Sequence, residues 1–105
     1  MPECRITVVE RSFNKKYVDL YVEKERKKTL GRCEVFKEGQ EFIVNPVSGM
    51  PAGFCPWAWD DIYKVLIAYF AGGNFGMWTE GGDTILACCS DGTRPVYFRI
   101  DKLPG

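Results

Sequence analysis

The chain of 105 residues contains no histidine. This absence excludes Ser-His-Asp and Cys-His nucleophilic pairs, zinc sites with His ligands, and the side chain that most often transfers protons near neutral pH. The sequence also lacks a surplus of either charge, because 14 Lys and Arg balance 14 Asp and Glu. Since binding to nucleic-acid phosphates needs a basic surplus, we expect no nucleic-acid partner.

Long apolar runs are scarce as well. The longest extends from Val65 to Ala71, well short of the roughly 20 residues that a membrane-spanning helix needs. The N-terminus has no basic segment followed by an apolar one, which a secretory signal would show. We therefore expect a soluble, cytoplasmic protein without a membrane partner.

What the chain does contain is typical of a small globular protein. Hydrophobic residues make up 46% of it and charged residues 27%, so we predict a single domain over residues 1–105. The periodic segments predict the α+β class, with two helices packed on a small, mostly antiparallel sheet in the order β-α-β-α-β-β. The predicted strands cover residues 4–10, 41–44, 84–90 and 95–101, and the predicted helices cover residues 14–28 and 56–71.

Both predicted helices carry apolar faces. In the first, Tyr17, Leu20 and Tyr21 recur at helical spacing and predict a face that lies on the core. The second begins at Pro56, ends at Gly72, and is apolar on nearly all sides. Such a helix is either central or contacts another subunit, so we expect a homo-oligomer.

The strand predicted over residues 84–90 is apolar on both faces, which indicates a central strand covered on both sides. It contains Cys88 and Cys89, whose side chains would point to opposite faces. The two thiols could bind one metal only if the strand bulged or ended there. Burial of at least one of them in the core is the simpler interpretation, since free cysteine is among the most buried residue types.

Cys55 has the position that most suggests chemistry. If the second helix begins at Pro56, Cys55 lies at its N-cap, where free backbone N–H groups and the helix dipole would stabilise a thiolate. It is therefore the candidate catalytic residue. The alternative is a small side chain buried beside Phe54 and Trp59, because no second cysteine follows at the spacing of a Cys-X-X-Cys pair.

The cysteines also supply the candidate metal ligands. A soft metal or an iron–sulfur cluster would need Cys33, Cys55 and either Cys88 or Cys89, with Cys4 as a fourth ligand. The spacing contains none of the Cys-X2-Cys pairs that are typical of such sites, and no particular cofactor follows from it. Cys33 lies in a connection and is predicted to be the most exposed of the five, whereas Cys4 alternates with apolar residues and is predicted to lie in the core.

Three tryptophans and an arginine form a second candidate site. Trp57, Trp59 and Trp78 flank the second predicted helix, and with Arg94 they could line a pocket for a small molecule. The alternative is that the rings close the ends of the core. Independently of the rings, Arg94 could bind an anion or pair with one of two aspartates, Asp91 or Asp61.

Several segments of the chain occur together in a known family. They are Cys4–Val8, Cys33–Phe36, Glu38–Phe42, Gly53–Ile62, Gly72–Phe75 and Cys88–Val96. Over Cys4 to Asp101 the sequence resembles a family of small, cysteine-rich proteins of unknown function from anaerobic bacteria and archaea. The resemblance implies reduced thiols and an expectation of soft-metal or iron–sulfur ligation. Where that family usually has an acidic residue this chain has Pro56, and where it often has a proline this chain has Glu34. No carboxylate beside Cys55 is therefore implied.

The sequence as a whole predicts a small cytoplasmic protein without an assignable catalytic activity. The first alternative is a thiol-based redox or soft-metal protein that uses Cys55 with Cys33 and Cys88 or Cys89. The second alternative is a small-molecule binding module with the tryptophan-lined pocket.

Overall fold

The computed structural model describes residues 1–104, which form a four-stranded antiparallel sheet and three helices. The strands are β1 (Cys4–Arg11), β2 (Glu41–Val44), β3 (Thr84–Cys88) and β4 (Val96–Lys102), and the helices are α1 (Lys15–Tyr21), α2 (Lys24–Lys27) and α3 (Pro56–Phe70). The predicted α+β class is confirmed. The predicted order also fits, except that two short helices occupy the place of the first one.

The sheet has the strand order β2-β1-β4-β3, so the first and the last strands of the chain form its centre. Every second residue of these two strands points inward, as the alternation of apolar residues predicts. Ile6 pairs with Ile100 and Val8 with Phe98, and all four side chains are fully buried. The register shifts between Val8 and Glu10, where a β-bulge interrupts the pairing of β1 with β4.

Helix α3 covers the inner face of the sheet. Pro56 occupies its first turn, where the missing N–H group of proline costs nothing. The buried residues on its inner side are Ala58, Ile62, Val65, Leu66 and Tyr69. The helix ends before Gly72, which has a φ of +89° that favours glycine. The apolar character of α3 is therefore explained largely by its central position on the sheet.

Three phenylalanines join the loops to the sheet beneath α3. The ring of Phe36 lies 5.0 Å from that of Phe54 and 5.2 Å from that of Phe98, and the rings of Phe54 and Phe98 are 5.6 Å apart. These distances are those of favourable aromatic pairs.

No helix within residues 1–104 is both long enough and apolar enough to cross a membrane.

The prediction that residues 84–90 form a central strand is wrong. Strand β3 lies at the edge of the sheet and pairs with β4 alone. Leu86 points to the outer face of the sheet and is 61% exposed. The apolar residues on both sides of this strand suggested two covering layers, but only the inner face is covered by α3.

The prediction of one helix over residues 14–28, lying on the core, is also wrong. Helix α1 begins after Asn14, whose side chain caps it, but the backbone of Val22 is extended. The carboxylate of Glu23 accepts a 2.8 Å hydrogen bond from the backbone of Arg26 and caps the separate helix α2. A capping side chain in the middle of a periodic segment therefore divides the predicted helix.

The apolar face predicted for the first helix points to solvent. Tyr17, Leu20 and Tyr21 are 42%, 63% and 78% exposed, and only Val18 is buried in α1. We call residues 13–32 the arm. Within the described chain, neither α1 nor α2 packs extensively against a strand or another helix. The molecule measures 49 × 30 × 20 Å. The radius of gyration is 15.2 Å, whereas a compact chain of this length has about 13 Å.

Candidate functional site

A cavity of about 480 Å³ opens beside the start of α3. It lies within the size range of small-molecule sites. We call it the cysteine pocket, and its walls are formed by Cys33, Val35, Phe36, Cys55, Trp57, Ala58, Cys89, Ser90, Asp91, Gly92, Arg94 and Val96. Three separate parts of the chain thus meet here: the connection before β2, the first turn of α3, and the loop between β3 and β4.

Several of the residues singled out by the sequence meet in this pocket. Cys33, Cys55 and Cys89 all line it, together with Trp57 and Arg94. The two predicted sites, one of cysteines and one of tryptophans with an arginine, therefore overlap in space. Neither sequence spacing nor periodicity indicated that overlap.

Other predicted site residues lie elsewhere. Trp59 packs against the edge of the core, with its ring 5.7 Å from Phe54 and 5.6 Å from Tyr63. Trp78 is 82% exposed and lines a different groove. Cys88 does not line the pocket and its thiol contacts the backbone carbonyl of Cys89 at 3.0 Å.

Cys55 occupies the N-cap of α3, as the sequence predicts. Its backbone is extended, with φ −84° and ψ 125°, and its side chain makes no capping hydrogen bond. The thiol is half-buried and packs beside the core. The helix start positions this thiol in the pocket wall, two residues before Trp57 on the first turn.

Cys89 continues the pairing of β3 with β4 by one residue. Its backbone N–H donates a 3.0 Å hydrogen bond to the carbonyl of Val96, and its sulfur accepts a 3.3 Å contact from the N–H of Val96. Burial, and to a smaller extent the nearby Cys89 and Asp61, raises the pKa of Cys88 above its ordinary value. The two adjacent thiols thus have different surroundings, and Cys89 alone faces the cavity.

Asp91 and Arg94 form the polar side of the pocket. The Asp91 carboxylate accepts hydrogen bonds from the N–H and hydroxyl of Thr93, at 2.9 and 2.8 Å, and from the N–H of Arg94 at 3.1 Å. Burial alone would raise the pKa of Asp91, but these hydrogen bonds and the charge of Arg94 outweigh it and lower that pKa. The ionised carboxylate therefore holds the turn between β3 and β4.

Arg94 pairs with Asp91, which settles one alternative that the sequence left open. Its Nε lies 3.5 Å from the Asp91 carboxylate, while Asp61 accepts a 2.7 Å hydrogen bond from the backbone of Ser90 instead. Only Nε of the guanidinium is engaged with a side chain among the described residues. Its two terminal amino groups are available to bind an anion at the rim of the pocket.

The three thiols share a cavity without converging on one point. Within residues 1–104, no group of three or more Cys, Asp or Glu side chains is close enough to hold a metal ion. All five cysteines are free thiols. The arrangement therefore offers separate thiols in an apolar wall, with one cation and one carboxylate at the edge.

Sequence reasoning missed some of the residues that shape the pocket. Val35 and Phe36 lie two and three residues after Cys33 and form a wall of the pocket; Val35 is half exposed and Phe36 is fully buried. Asp91, in contrast, was one of the two aspartates predicted to pair with Arg94, and the structure shows that pair. Its position, three residues before the arginine, is the local signal for the contact.

Comparison with models of protein families, with curated proteins and with solved structures finds no match to this chain. The family resemblance given by the sequence segments therefore stays a prediction.

Proposed function

We propose that the protein is a small-molecule binding module and that the cysteine pocket is its site. One observation carries the proposal: a cavity of about 480 Å³ brings an exposed tryptophan, Trp57, and a partly free arginine, Arg94, to the same apolar wall. Binding sites are typically apolar cavities with a few polar groups that orient the ligand.

The lining of the pocket specifies the ligand class. Trp57 and Val35 are 63% and 51% exposed, and covering them with a flat, apolar ligand would remove a large area from water. The free amino groups of Arg94 favour a carboxylate or a similar planar anion. We therefore propose an aromatic or aliphatic small molecule that carries one acidic group.

The proposal is one of binding without catalysis. Asp91 is the one carboxylate in the pocket lining; its Oδ1 accepts three hydrogen bonds from Thr93 and Arg94, and its Oδ2 lies 3.5 Å from Nε of Arg94. A general base needs a free oxygen within reach of the proton that it removes. The role of Asp91 in this proposal is to hold Arg94 at the rim.

The probe that tests this proposal is anilinonaphthalene sulfonate, an aromatic anion whose fluorescence rises in an apolar site. Arg94→Gln should weaken its binding by at least about tenfold, because a charge-assisted hydrogen bond is lost. Arg26→Gln, on the arm, is the matched control and should leave binding unchanged. Equal affinities of the two variants would contradict the proposal.

A second measurement places the probe in the pocket. Bound probe should slow the alkylation of Cys33 and Cys55 by iodoacetamide, followed residue by residue with mass spectrometry, since both thiols line the cavity. Unchanged alkylation rates at a saturating probe concentration would place the probe elsewhere and refute the proposed site.

The second candidate function is thiol-based redox chemistry at the same pocket, and its support is the presence of three cysteines in one cavity wall. For a soft metal the described residues offer no preformed set of ligands, so metal binding would have to draw the thiols together. Metal analysis and an absorption spectrum of anaerobically purified protein test this alternative. A stoichiometric metal that Cys55→Ser abolishes and Cys4→Ser, in the sheet, retains would support it.

The remaining parts of the proposal are the compartment and the assembly. Free cysteines are typical of a reducing compartment, which supports a cytoplasmic location. A homo-oligomer is also proposed. On α3 its support is limited to Trp57, Tyr63 and Ile67, which are exposed while five other apolar residues of the helix are buried. The arm offers a more continuous apolar surface.

A further inference from the structure

The arm carries an apolar face that its own chain leaves uncovered. Tyr17, Leu20 and Tyr21 lie three and four residues apart, so they share one side of α1. The rings of Tyr17 and Tyr21 are 6.3 Å apart, and all three side chains are 42% to 78% exposed. A contiguous exposed apolar face on a soluble chain marks an interaction surface.

The arm is also strongly basic, although the whole chain is neutral. Residues 13–32 contain seven Lys and Arg against three Asp and Glu, which gives a net charge of +4. The rest of the chain contains the other seven Lys and Arg against eleven Asp and Glu, a net charge of −4. The zero total thus hides a separation of charge between the arm and the rest of the molecule.

A second uncovered apolar surface lies on the acidic part of the chain. This groove of about 460 Å³ is lined by Lys64, Val65, Ala68, Phe75, Met77, Trp78 and Ile85. We call it the Trp78 groove. Met77 and Trp78 are 97% and 82% exposed. The exposed carboxylates Glu80 and Asp83 follow in the same loop.

We propose that the arm of one copy of this chain docks in the Trp78 groove of a second copy. Leu20 and Tyr21 supply the apolar anchors, and Met77 and Trp78 supply the surface that covers them. The surrounding cations of the arm then approach the carboxylates after Trp78, whereas Lys64 is the one cation in the groove lining. Each copy has both surfaces, and in the proposed assembly the contact forms twice in a closed twofold dimer, which leaves neither surface open for a third copy.

The charge distribution favours a second copy over other occupants of the arm. A nucleic acid or an anionic membrane would attract the arm but repel the rest of the chain, which has a net charge of −4. A second copy offers negative charge and uncovered apolar side chains together. The two contacts of a twofold dimer also double the buried area, toward the roughly 800 Å² per partner of a stable interface.

The molar mass in solution is the first test, measured by sedimentation equilibrium from about 1 to about 100 μM protein. The expected mass is twice the 12.0 kDa of one chain. Leu20→Glu with Tyr21→Glu, and separately Met77→Glu with Trp78→Glu, should each weaken dimerisation by about a hundredfold. The control is Val47→Glu, which changes a side chain that is 76% exposed and outside both surfaces.

Mixing the two double variants gives the decisive test. The arm variant keeps an intact groove and the groove variant keeps an intact arm, so the mixture should form mixed dimers through one of the two contacts, seen by native mass spectrometry. A wild-type monomer throughout the range, or a dimer that both double variants leave intact, would overturn the proposal. So would a monomer whose arm binds phosphatidylserine vesicles or DNA.

Discussion

The hydroxyl of Tyr69 donates a 2.9 Å hydrogen bond to the backbone carbonyl of Gly82. Tyr69 lies near the end of α3 and is 1% exposed. The same carbonyl accepts a 3.0 Å hydrogen bond from the N–H of Phe75. These two bonds connect the helix to both ends of the loop that carries Trp78, and so they position one wall of the Trp78 groove.

Tyr69→Phe should lower the free energy of unfolding by about 1 kcal/mol, because the variant loses one buried hydrogen bond while the carbonyl keeps the other. Urea denaturation followed by circular dichroism measures the change. Tyr63→Phe is the control, since Tyr63 lies on the same helix but is 42% exposed. An equal loss in both variants would show that the Tyr69 hydroxyl has no special role.

Replacing Gly82 tests how closely the backbone at Gly82 approaches the backbone at Gly76 in this loop. Gly81 and Gly82 have φ angles of +77° and +80°, but a Cβ atom at Gly82 would lie 2.5 Å from the backbone nitrogen of Gly76, whereas one at Gly81 meets nothing within 4 Å. Gly81→Ala should therefore cost about 1 kcal/mol from its backbone conformation alone. Gly82→Ala should cost clearly more in the same denaturation measurement, and similar costs would contradict the close approach.

Two threonines on the outer face of the sheet should respond in opposite ways to replacement by valine. The Thr7 hydroxyl is buried and has no hydrogen-bond partner within residues 1–104, so Thr7→Val should raise the free energy of unfolding by about 1 kcal/mol. The Thr84 hydroxyl donates a 2.7 Å bond to Asp101, so Thr84→Val should lower it. Thermal unfolding of both variants checks the signs, and a loss of stability in Thr7→Val would be the contrary result.

Cys4 should make the fold sensitive to alkali. Burial raises its pKa from 9.0 to about 11, so the folded state keeps the thiol neutral while the unfolded state begins to ionise near pH 9. The neutral thiol therefore makes its full contribution to the free energy of unfolding below pH 9. That contribution is lost as the pH rises to about 11, and the free energy of unfolding falls by at most about 1.4 kcal/mol per pH unit.

The measurement is the free energy of unfolding between about pH 8 and pH 10. Cys4→Ala should flatten the slope that Cys4 contributes. Val44→Ala is the matched control, because Val44 pairs directly with Cys4 in the sheet, is equally buried, and does not titrate. The control should lose stability at every pH and keep the wild-type slope; a flattened slope in Val44→Ala would assign the effect to packing.

Local signals in the sequence were sufficient for many elements of the fold. Pro56 at the start of α3 and Gly72 after its end act within one turn of the chain, and β2 begins and ends at the predicted residues 41 and 44. The alternation of Val96, Phe98 and Ile100 likewise gives the inward face of β4. Each of these features depends on neighbours in sequence.

Features that depend on distant parts of the chain could not be predicted in this way. The exposure of Leu86 follows from two tertiary features: β3 lies at the edge of the sheet, and the outer face to which Leu86 points is not covered by α3. The exposed face of Tyr17, Leu20 and Tyr21 has the same periodicity as a buried one. Periodicity shows that one face of a helix is apolar, but it does not show whether the same chain or another molecule buries that face.

The candidate site also combines features that local sequence shows with features that only the tertiary structure shows. Residue type alone was enough to single out Cys33, Cys55, Cys89 and Arg94, whose meeting in one cavity needs the tertiary structure. Trp78 shares its residue type with Trp57, yet the loop after α3 carries it away from the pocket.

The order of the strands has a consequence for how the protein is made. Its central pair joins residues at opposite ends of the described chain, with Cys4 opposite Lys102 and Ile6 opposite Ile100. Nearly all of the described residues must therefore be synthesised before β1 can pair with β4, and until then the apolar side of β1 is exposed to non-native contacts. We expect slow folding for a chain of this size, because closing so long a loop must precede the contacts that reward it.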